Sequence, residues 1–321
     1  MTSRAYGFGF AAHVGVRITV RTFFVLVAIA SLVVTSLFAQ QPPVTSIVEQ
    51  FYPQGLMQLP EELGGREQCF AVYDADASGA PTTIVAGYTN HTEAVIRVLR
   101  ASAGRFEAVA ESRGMAGALC DVTLDDVDSD GRKEVRVDFS VNRTSVSWLF
   151  RWDGQQLRSL TPGTGLPNAD LVDVDNDGVK ELYVTSEVPR FADEPILPGV
   201  LYRLRGGQYV ETAAVVGLWS FDHTTAAADT SSVPVSLPYN ARGPYTLRVV
   251  SGRPNRTARV TSAQVFMNGR EVVASSAFRA RASIIERPVM LMDDNELTVR
   301  FADGPPSEML IVIESKNWKS Q

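Results

Sequence analysis

The amino-acid sequence predicts an all-β protein in which tandem repeats precede a separate C-terminal β-domain. After residue 43 no stretch carries a long apolar period of 3.6 residues, which an amphipathic helix would need. Apolar and polar residues alternate instead, and two runs each place four apolar side chains on one strand face: Val135, Val137, Phe139 and Val141, then Val146, Trp148, Phe150 and Trp152. Because Asp153-Gly154 follows the second run and suits a hairpin turn, we expect an antiparallel sheet with one buried face.

Length and composition narrow the class of protein. The chain has 321 residues, enough for two domains with hydrophobic cores. Its 45% apolar and 21% charged residues are typical of globular proteins. The net charge of −6 argues against a nucleic-acid partner, which would require a basic surface. The acidic residues are concentrated in two short loops, so the acidity points to a local site.

Residues 1–40 are predicted to form an export signal. Arg17 and Arg21 precede the apolar run Phe23–Ala39, and polar Gln40 follows it. A positive flank, a short apolar core and a small residue at its end are typical of a secretory signal peptide, cut here near Ala39. An uncleaved membrane anchor is the alternative, because the run approaches the minimum length of a spanning helix. Both alternatives place the rest of the chain outside the cytoplasm, as a secreted or cell-surface protein.

Two independent markers recur with a period near 50 residues. Loop-like segments begin at Asp74, Asp126 and Asp173, which are 52 and 47 residues apart. The second marker is an arginine six residues before a large apolar residue, with a glycine between them: Arg100 and Phe106, Arg151 and Leu157, Arg203 and Tyr209. The agreement predicts three tandem repeats in residues 69–223, each with room for the four strands of a propeller blade. The third repeat has extra residues at 190–198, predicted as a loop.

A change of composition separates the repeats from the C-terminal part. Residues 224–244 are rich in Ala, Ser, Thr and Pro and are predicted to be a linker. Asn268-Gly269, between two alternating runs, demands a tight hairpin. Six or seven strands within residues 245–316 predict an immunoglobulin-like sandwich. The β-prone segments are Tyr245–Val250, Ala258–Met267, Glu271–Ser275, Ala277–Leu291, Glu296–Phe301 and Met309–Ile313.

Two nine-residue loops, loop one (Asp126–Glu134) and loop two (Asp173–Glu181), share one spacing of acidic residues. Acids stand at the first, third, fifth and ninth positions, and glycine stands at the sixth. Ca²⁺ takes six to eight oxygen ligands, alternate residues can aim carboxylates at one point, and glycine permits the sharp bend. The sequence therefore predicts two Ca²⁺ sites, in which the seventh residue contributes its main-chain carbonyl. Their ligands would be Asp126, Asp128, Asp130, Arg132 and Glu134, and Asp173, Asp175, Asp177, Val179 and Glu181.

The acid spacing of the loops has two other interpretations. An EF-hand needs a glutamate at the twelfth position and flanking helices, but Val137 and Val184 stand there and the flanks alternate as strands. Acidic surface turns are the second alternative, because Asp-Gly is common in hairpins. Four crowded carboxylates would repel one another without a cation, which favours calcium. The corresponding first-repeat segment, Asp74–Thr82, keeps Gly79 but lacks two carboxylates, so we expect a turn without a tightly bound ion.

These loops resemble those of the FG-GAP/VCBS repeat family, which includes the calcium-binding blades of integrin α-subunit propellers. Two full copies and one degenerate copy of the family's loop motif lie between Cys69 and Ala213. The resemblance implies that each loop joins two strands of a blade and that its carboxylates bind Ca²⁺. The ninth position departs from the family's usual aspartate, and three repeats are fewer than the roughly seven blades of a closed family propeller. A partial or small propeller could gain strands from residues 44–63, which belong to the lead-in segment 44–68, and from residues 215–223. Without those strands, the repeats would leave an open sheet edge for a partner.

The same repeat frame pairs the two cysteines of the chain. Cys69 lies five residues before its loop segment and Cys120 six residues before loop one, on corresponding strands of consecutive blades. In an oxidising compartment, one disulfide joining the first repeat to the second is the expected form. The alternative is two buried thiols that never meet.

The C-terminal segment resembles β-sandwich modules found at the ends of secreted bacterial proteins. The residues that carry this resemblance are Tyr245–Val250, Val265–Val273, Ile285–Pro288 and Asn295–Val299. It implies a structural or surface-display role and assigns no functional residues.

The sequence favours a non-enzymatic function. After export the histidines are His91 and His223, and neither stands in a zinc-ligand spacing or a triad context; His223 is expected to be a packed strand-end residue. We expect an adhesion or ligand-binding module for an extracellular protein or glycan, in contact with a membrane only if the N-terminal anchor is retained. The alternative is a polysaccharide-active enzyme or carbohydrate-binding accessory protein. Its cleft would use Trp148, Trp152 and Trp219, although their alternating spacing explains them as core.

Overall fold

The computed structural model describes residues 43–56, 69–90, 92–115, 117, 119–141, 144–163, 165–185, 199–224, 227–237, 242–252, 259–279, 283–315 and 317. Residues 44–321 form one compact unit. The predicted export signal at 1–40, His91 and the predicted loop at 190–198 lie outside the described residues. Within these ranges, no helix is both long enough and apolar enough to cross a membrane.

The described ranges contain twenty strands and two short helices, which confirms the predicted all-β class. The strands of the repeat region are β1 (Phe70–Ala75), β2 (Pro81–Thr89), β3 (Ala94–Ser102), β4 (Arg105–Met115), β5 (Leu119–Asp125), β6 (Glu134–Val141), β7 (Thr144–Trp152), β8 (Leu157–Ser159), β9 (Leu166–Pro167), β10 (Ala169–Val172), β11 (Glu181–Thr185), β12 (Gly199–Arg205) and β13 (Gln208–His223). The strands that follow are β14 (Asp229–Ser236), β15 (Tyr245–Ser251), β16 (Ala263–Met267), β17 (Arg270–Val273), β18 (Ile284–Val289), β19 (Asp294–Phe301) and β20 (Ser307–Ser315). The helices are α1 (Val44–Glu49) and α2 (Ser275–Arg279).

The strands form four antiparallel sheets. The first sheet has the order β1-β2-β3-β4, and the second has the order β5-β6-β7-β8 with short β9 beside β7. The third sheet has the order β10-β11-β12-β13-β20-β15-β18, and the fourth has the order β14-β19-β16-β17. Three sets of four strands, β1–β4, β5–β8 and β10–β13, therefore pair in chain order, and their assignment to tandem repeats stays a prediction. None of the sheets closes on itself within the described residues.

The second sheet is buried on both faces, so the expectation of a single buried face is wrong. One face carries Val137, Phe139 and Trp148 into a core shared with the first sheet. The other face carries Leu149 into a core shared with Leu182 and other residues of the third sheet. The sequence pattern missed this because the second apolar face belongs mainly to β7, where Leu149 interrupts a polar series.

The two ends of the repeat region are covered differently. Helix α1 packs Ile47 and Val48 against the outer face of the first sheet, and the Tyr88 hydroxyl donates a 3.0 Å hydrogen bond to the Val48 carbonyl. At the other end, β13 pairs with β12 through its first half and with β20 through its second half. The described part of the lead-in segment is thus a helix, and residues 215–223 extend an open sheet, so neither adds a ring-closing strand.

The C-terminal part has one core enclosed by the fourth sheet and the β13-β20-β15-β18 part of the third sheet. The predicted Asn268-Gly269 hairpin is confirmed: it joins β16 to β17 with φ angles of 54° and 73°. The predicted linker at 224–244 contains strand β14, which pairs along its whole length with β19. The predicted strand Ala277–Leu291 instead begins as helix α2, because Phe278 alone is buried there and main-chain bonding closes a helical turn at Ala277.

The first and second repeats are joined covalently. Cys69 is disulfide-bonded, and the sequence contains one other cysteine, Cys120. This confirms the predicted pairing.

Candidate metal centre

Loops one and two occupy the same place in two successive repeats. Loop one connects β5 to β6, and loop two connects β10 to β11. The sixth-position glycines, Gly131 and Gly178, have φ angles of 85° and 89°, as the bend required. The fourth-position residues, Ser129 and Asn176, also have positive φ, at 57° and 54°. Each loop therefore contains two residues with positive φ within three positions, which makes a sharp bend.

Each loop brings three carboxylates together. Oxygens from the first, third and ninth residues lie within 4.8 Å of one another, and the two groups are Asp126, Asp128 and Glu134, and Asp173, Asp175 and Glu181. The ninth-position glutamates are 1% and 3% exposed. Such a convergence of oxygen ligands suits a hard divalent cation.

The loops also share one pattern of internal hydrogen bonds. The ninth-position Oε2 accepts from the second-position N–H, at 3.1 Å for Val127 and 2.9 Å for Val174. The first-position Oδ2 accepts from the glycine N–H, at 3.0 Å for Gly131 and 3.1 Å for Gly178. Because these bonds use one oxygen of each carboxylate, the second oxygen of Asp126 and of Asp173 remains free to face the centre of its loop.

The fifth-position aspartates lie outside the converging groups, and the predicted carbonyl ligands at Arg132 and Val179 stay a prediction. Asp130 and Asp177 are exposed, and their Oδ1 atoms accept the N–H of Arg132 at 2.8 Å and of Val179 at 2.7 Å. The structure thus gathers six of the predicted side-chain ligands and uses the fifth-position aspartates to close the bend.

Several buried carboxylate oxygens in the loops have no hydrogen-bond partner: Asp126 Oδ1, Asp173 Oδ1 and Asp175 Oδ1. A buried polar atom without a partner costs about 1–3 kcal/mol, and more when it is charged. A cation in loop one would satisfy the Asp126 oxygen, and a second cation in loop two would satisfy those of Asp173 and Asp175. The residues present therefore fit a bound divalent ion.

Burial also shifts the pKa values of the loop carboxyls upward. It raises the pKa of Glu181 to about 7, despite the hydrogen bond from the Val174 N–H. The pKa values of Glu134 and Asp175 are raised for the same reason, with further contributions from neighbouring carboxylates. The negative charges of both loops therefore need a compensating positive charge.

Arginines from the repeat marker supply part of that charge, which the sequence interpretation missed. Arg151 on β7 contacts Asp128 and Glu134, and Arg203 on β12 lies near Asp175 and Glu181. The signal was already present in the sequence, because these arginines recur with the same period as the loops.

The two loops contact each other directly. Lys180 of loop two places its Nζ 2.6 Å from Asp125, next to loop one, and its N–H donates to the Val127 carbonyl at 2.7 Å. The Ser129 hydroxyl donates to the Gly178 carbonyl at 2.6 Å. An ion in either loop would therefore stabilise a contact between the second and third repeats.

The first-repeat segment keeps its bend, as predicted. Asp76 Oδ1 accepts from the N–H of Ser78 at 2.8 Å and of Ala80 at 3.0 Å, and Gly79 has a φ angle of 84°. Asp76 is thus occupied in closing the turn, and the expectation that no ion binds tightly there stays a prediction.

The aromatic and histidine candidates lie in hydrophobic cores. Trp148, Trp152 and Trp219 are 6–7% exposed, in agreement with their predicted role as core residues. His223 is buried at the end of β13 and stacks on Phe301 with ring centroids 5.0 Å apart, which confirms that it is a packed strand-end residue.

No family model and no curated protein matches the chain. Among solved structures, the chain is similar to that titled "Crystal structure of BuGH86E322Q in complex with neoagarooctaose", at 12% identity and a TM-score of 0.21. The match covers 73% of this chain and 34% of that one, so the chain spans about a third of that protein's length.

Proposed function

We propose that this is an exported, calcium-binding repeat protein that acts as a non-catalytic adhesion or ligand-binding module. In this proposal the first three four-stranded units are FG-GAP-type propeller blades in an open array. The C-terminal strands form an immunoglobulin-like sandwich. One Ca²⁺ ion occupies each of loops one and two and holds the second and third blades in shape.

The observation that carries the proposal is the geometric equivalence of the two loops. Each gathers three carboxylates from identical positions, buries the ninth-position glutamate and leaves inward oxygens without a partner. An isolated acidic turn would place its carboxylates in solvent, where repulsion is weak. The same convergence in both loops, each with a buried glutamate, is better explained by a cation that neutralises it.

Calcium-dependent thermal unfolding tests the metal sites. Extracellular calcium modules have dissociation constants near 10⁻⁴–10⁻³ M, so roughly tenfold excess calcium adds about 1.4 kcal/mol for each site. Two sites would raise the unfolding midpoint by about 5–10 °C relative to EDTA. Magnesium at the same concentration should raise it less, because Mg²⁺ requires a stricter octahedral geometry.

Variants separate site binding from a general effect of salt. The combined substitutions Asp126→Asn, Asp128→Asn, Asp173→Asn and Asp175→Asn remove converging negative charges from both loops. They should abolish the increase of the unfolding midpoint by calcium. Asp293→Asn, at an exposed position outside both loops, is the matched control and should respond like the wild type. A wild-type midpoint that is the same in EDTA and in calcium would contradict the proposed sites.

The adhesion role needs its own assay. We expect the purified protein to bind an extracellular protein or glycan in a calcium-dependent manner and to release no reducing ends from polysaccharides. A glycan array paired with a reducing-end assay distinguishes this from the polysaccharide-active alternative. Release of reducing ends by the wild-type protein would contradict the non-catalytic proposal.

A further inference from the structure

Loop one already has an internal counter-charge. Arg151 on β7 places its Nη2 2.5 Å from Asp128 Oδ2 and its Nε 2.8 Å from Glu134 Oε1. Both contacts are hydrogen bonds between charged groups, which are stronger than bonds between neutral groups. The third- and ninth-position carboxylates of loop one are therefore occupied by a guanidinium group that a metal ion would have to displace.

The corresponding arginine stands back from loop two. Arg203 Nε is 3.9 Å from Asp175 Oδ2 and 3.5 Å from Glu181 Oε1, too far for strong hydrogen bonds. Its Nη2 instead lies 3.3 Å from Glu314 Oε1, and its Nη1 donates to the Thr212 hydroxyl at 3.1 Å. These contacts hold the guanidinium beyond strong hydrogen-bonding distance of Asp175 and Glu181.

Glu314 lies on β20, outside the repeats, and is 6% exposed. Arg248 on β15 donates to the same Glu314 Oε1 at 2.6 Å and pairs with Glu286 at 2.8 Å. Two glutamates outside loop two thus neutralise the two arginines near it. Loop one has no such arrangement in the described residues, because the ion pairs of Arg151 are with the loop's own acids.

Loop two also has more buried carboxylate oxygens without a hydrogen-bond partner than loop one. Loop two leaves both Asp173 Oδ1 and Asp175 Oδ1 buried without a partner, whereas loop one leaves only Asp126 Oδ1 among the described acids. In loop one the third-position Oδ2 accepts from Arg151, and its Oδ1 accepts from the Asp130 N–H at 3.4 Å. Loop two therefore presents more free buried oxygen to a cation.

We propose that the two loops are unequal calcium sites, that loop two binds Ca²⁺ more tightly, and that Glu314 sets the difference by holding Arg203 away from Asp175 and Glu181. This inference rests on the proposed calcium function. Its physical basis is that a guanidinium within about 4 Å of a divalent ion repels it strongly where water screens poorly. Glu314 is a positioning residue, because it acts on the ion through Arg203.

Titration calorimetry with Ca²⁺ on single-loop proteins measures the two affinities separately. Asp126→Asn with Asp128→Asn leaves loop two intact, and Asp173→Asn with Asp175→Asn leaves loop one intact. We expect the dissociation constant of loop two to be at least tenfold lower than that of loop one. Circular dichroism verifies that each variant is folded.

Two further substitutions test the cause of the difference. Glu314→Gln should weaken loop two at least fivefold, because Arg203 then turns to Asp175 and Glu181, and should leave loop one unchanged. Arg151→Gln should tighten loop one at least fivefold. If Glu314→Gln does not fold, Arg203→Gln replaces it, and this variant should bind at loop two at least as tightly as its parent.

The outcomes distinguish this inference from the proposed function. Two ions of equal affinity, or a Glu314→Gln effect on loop one as large as that on loop two, would overturn the inference and leave the calcium function standing. Weaker binding at loop two in Arg203→Gln would also overturn it. An absence of binding by the wild-type protein would overturn the proposed function and the inference together.

Discussion

Gly217→Ala probes the point at which β13 passes from the third repeat into the C-terminal core. The β13–β20 ladder pairs Val215 with Glu314 and Gly217 with Ile313, so Val216 is an extra residue in a bulge. A Cβ on Gly217 would lie 2.1 Å from Trp219 Cη2 and 2.2 Å from Cζ2. Real Cβ contacts are not this close, so the ring or the strand must move.

The ring has little space in which to move. Trp219 is 6% exposed and packs within the C-terminal core, so its displacement disturbs close-packed neighbours. Overpacking of this kind costs about 1–3 kcal/mol, and the contact involves a rigid aromatic ring, so we expect about 2–3 kcal/mol. For a chain of this size the thermal midpoint should fall by about 5–10 °C.

Urea unfolding followed by tryptophan fluorescence measures the change, and Gly304→Ala is the matched control. A Cβ on Gly304 has its nearest neighbour, the Ala302 carbonyl oxygen, at 3.8 Å, an ordinary contact. The control should be neutral or slightly stabilising, because alanine lowers the entropy of the unfolded chain. A loss below about 0.5 kcal/mol in Gly217→Ala would refute the close approach of Gly217 to the Trp219 ring.

Three further outcomes are expected. Tyr209→Phe removes the 2.8 Å hydrogen bond that the hydroxyl donates to a main-chain carbonyl of loop two, and chemical unfolding should record a loss of about 1 kcal/mol; no loss would contradict this bond. The double substitution Cys69→Ser and Cys120→Ser opens a covalent loop of roughly fifty residues and should lower the free energy of unfolding by up to about 4 kcal/mol. The comparison is with wild type in the absence of reductant, and equal stability would contradict the disulfide. Although burial opposes ionisation of Glu111, its 2.7 Å ion pair with Arg97 helps to lower the pKa of Glu111. The stabilisation from this pair is therefore present above the pKa of the unfolded state and is lost as pH falls through the pKa of the folded state. The difference in stability between wild type and Glu111→Gln should shrink from pH 7 to pH 3, and a constant difference would contradict the pair.

The metal loops could be located from the sequence because their signal is local. Alternate acids and a glycine within nine residues predicted the bend, and the flanking alternation predicted that strands would enter and leave it. The positive φ at Ser129 was not foreseen, since serine has little preference for that conformation. Glu134 is one of the three converging carboxylates of loop one, whereas Asp130 closes the turn.

The arginine pairs depend on contacts between residues distant in the sequence. Arg151 lies 17 residues after Glu134, and the β6–β7 register, which pairs Val135 with Phe150, brings them side by side. A correct hairpin register would have been enough to predict that pair. Glu314 lies 111 residues after Arg203, and only the long-range pairing of β13 with β20 brings it near. No local pattern in the sequence carries that information.

The local sequence also fails to predict two elements outside the repeats. Strand β14 lies in a segment whose composition favours a linker, and it is a strand because β19 offers an edge along its whole length. Helix α1 arises in a lead-in segment with no helical signal of its own and is held by burial of Ile47 and Val48 against the first sheet. In both places tertiary packing decides the local structure.

Equilibrium dialysis against millimolar calcium, followed by elemental analysis, tests the central claim most directly by counting ions bound to each chain. We predict two ions for each wild-type chain. We predict none for the variant that carries Asp126→Asn, Asp128→Asn, Asp173→Asn and Asp175→Asn. A wild-type protein that retains no calcium at this concentration would contradict the account.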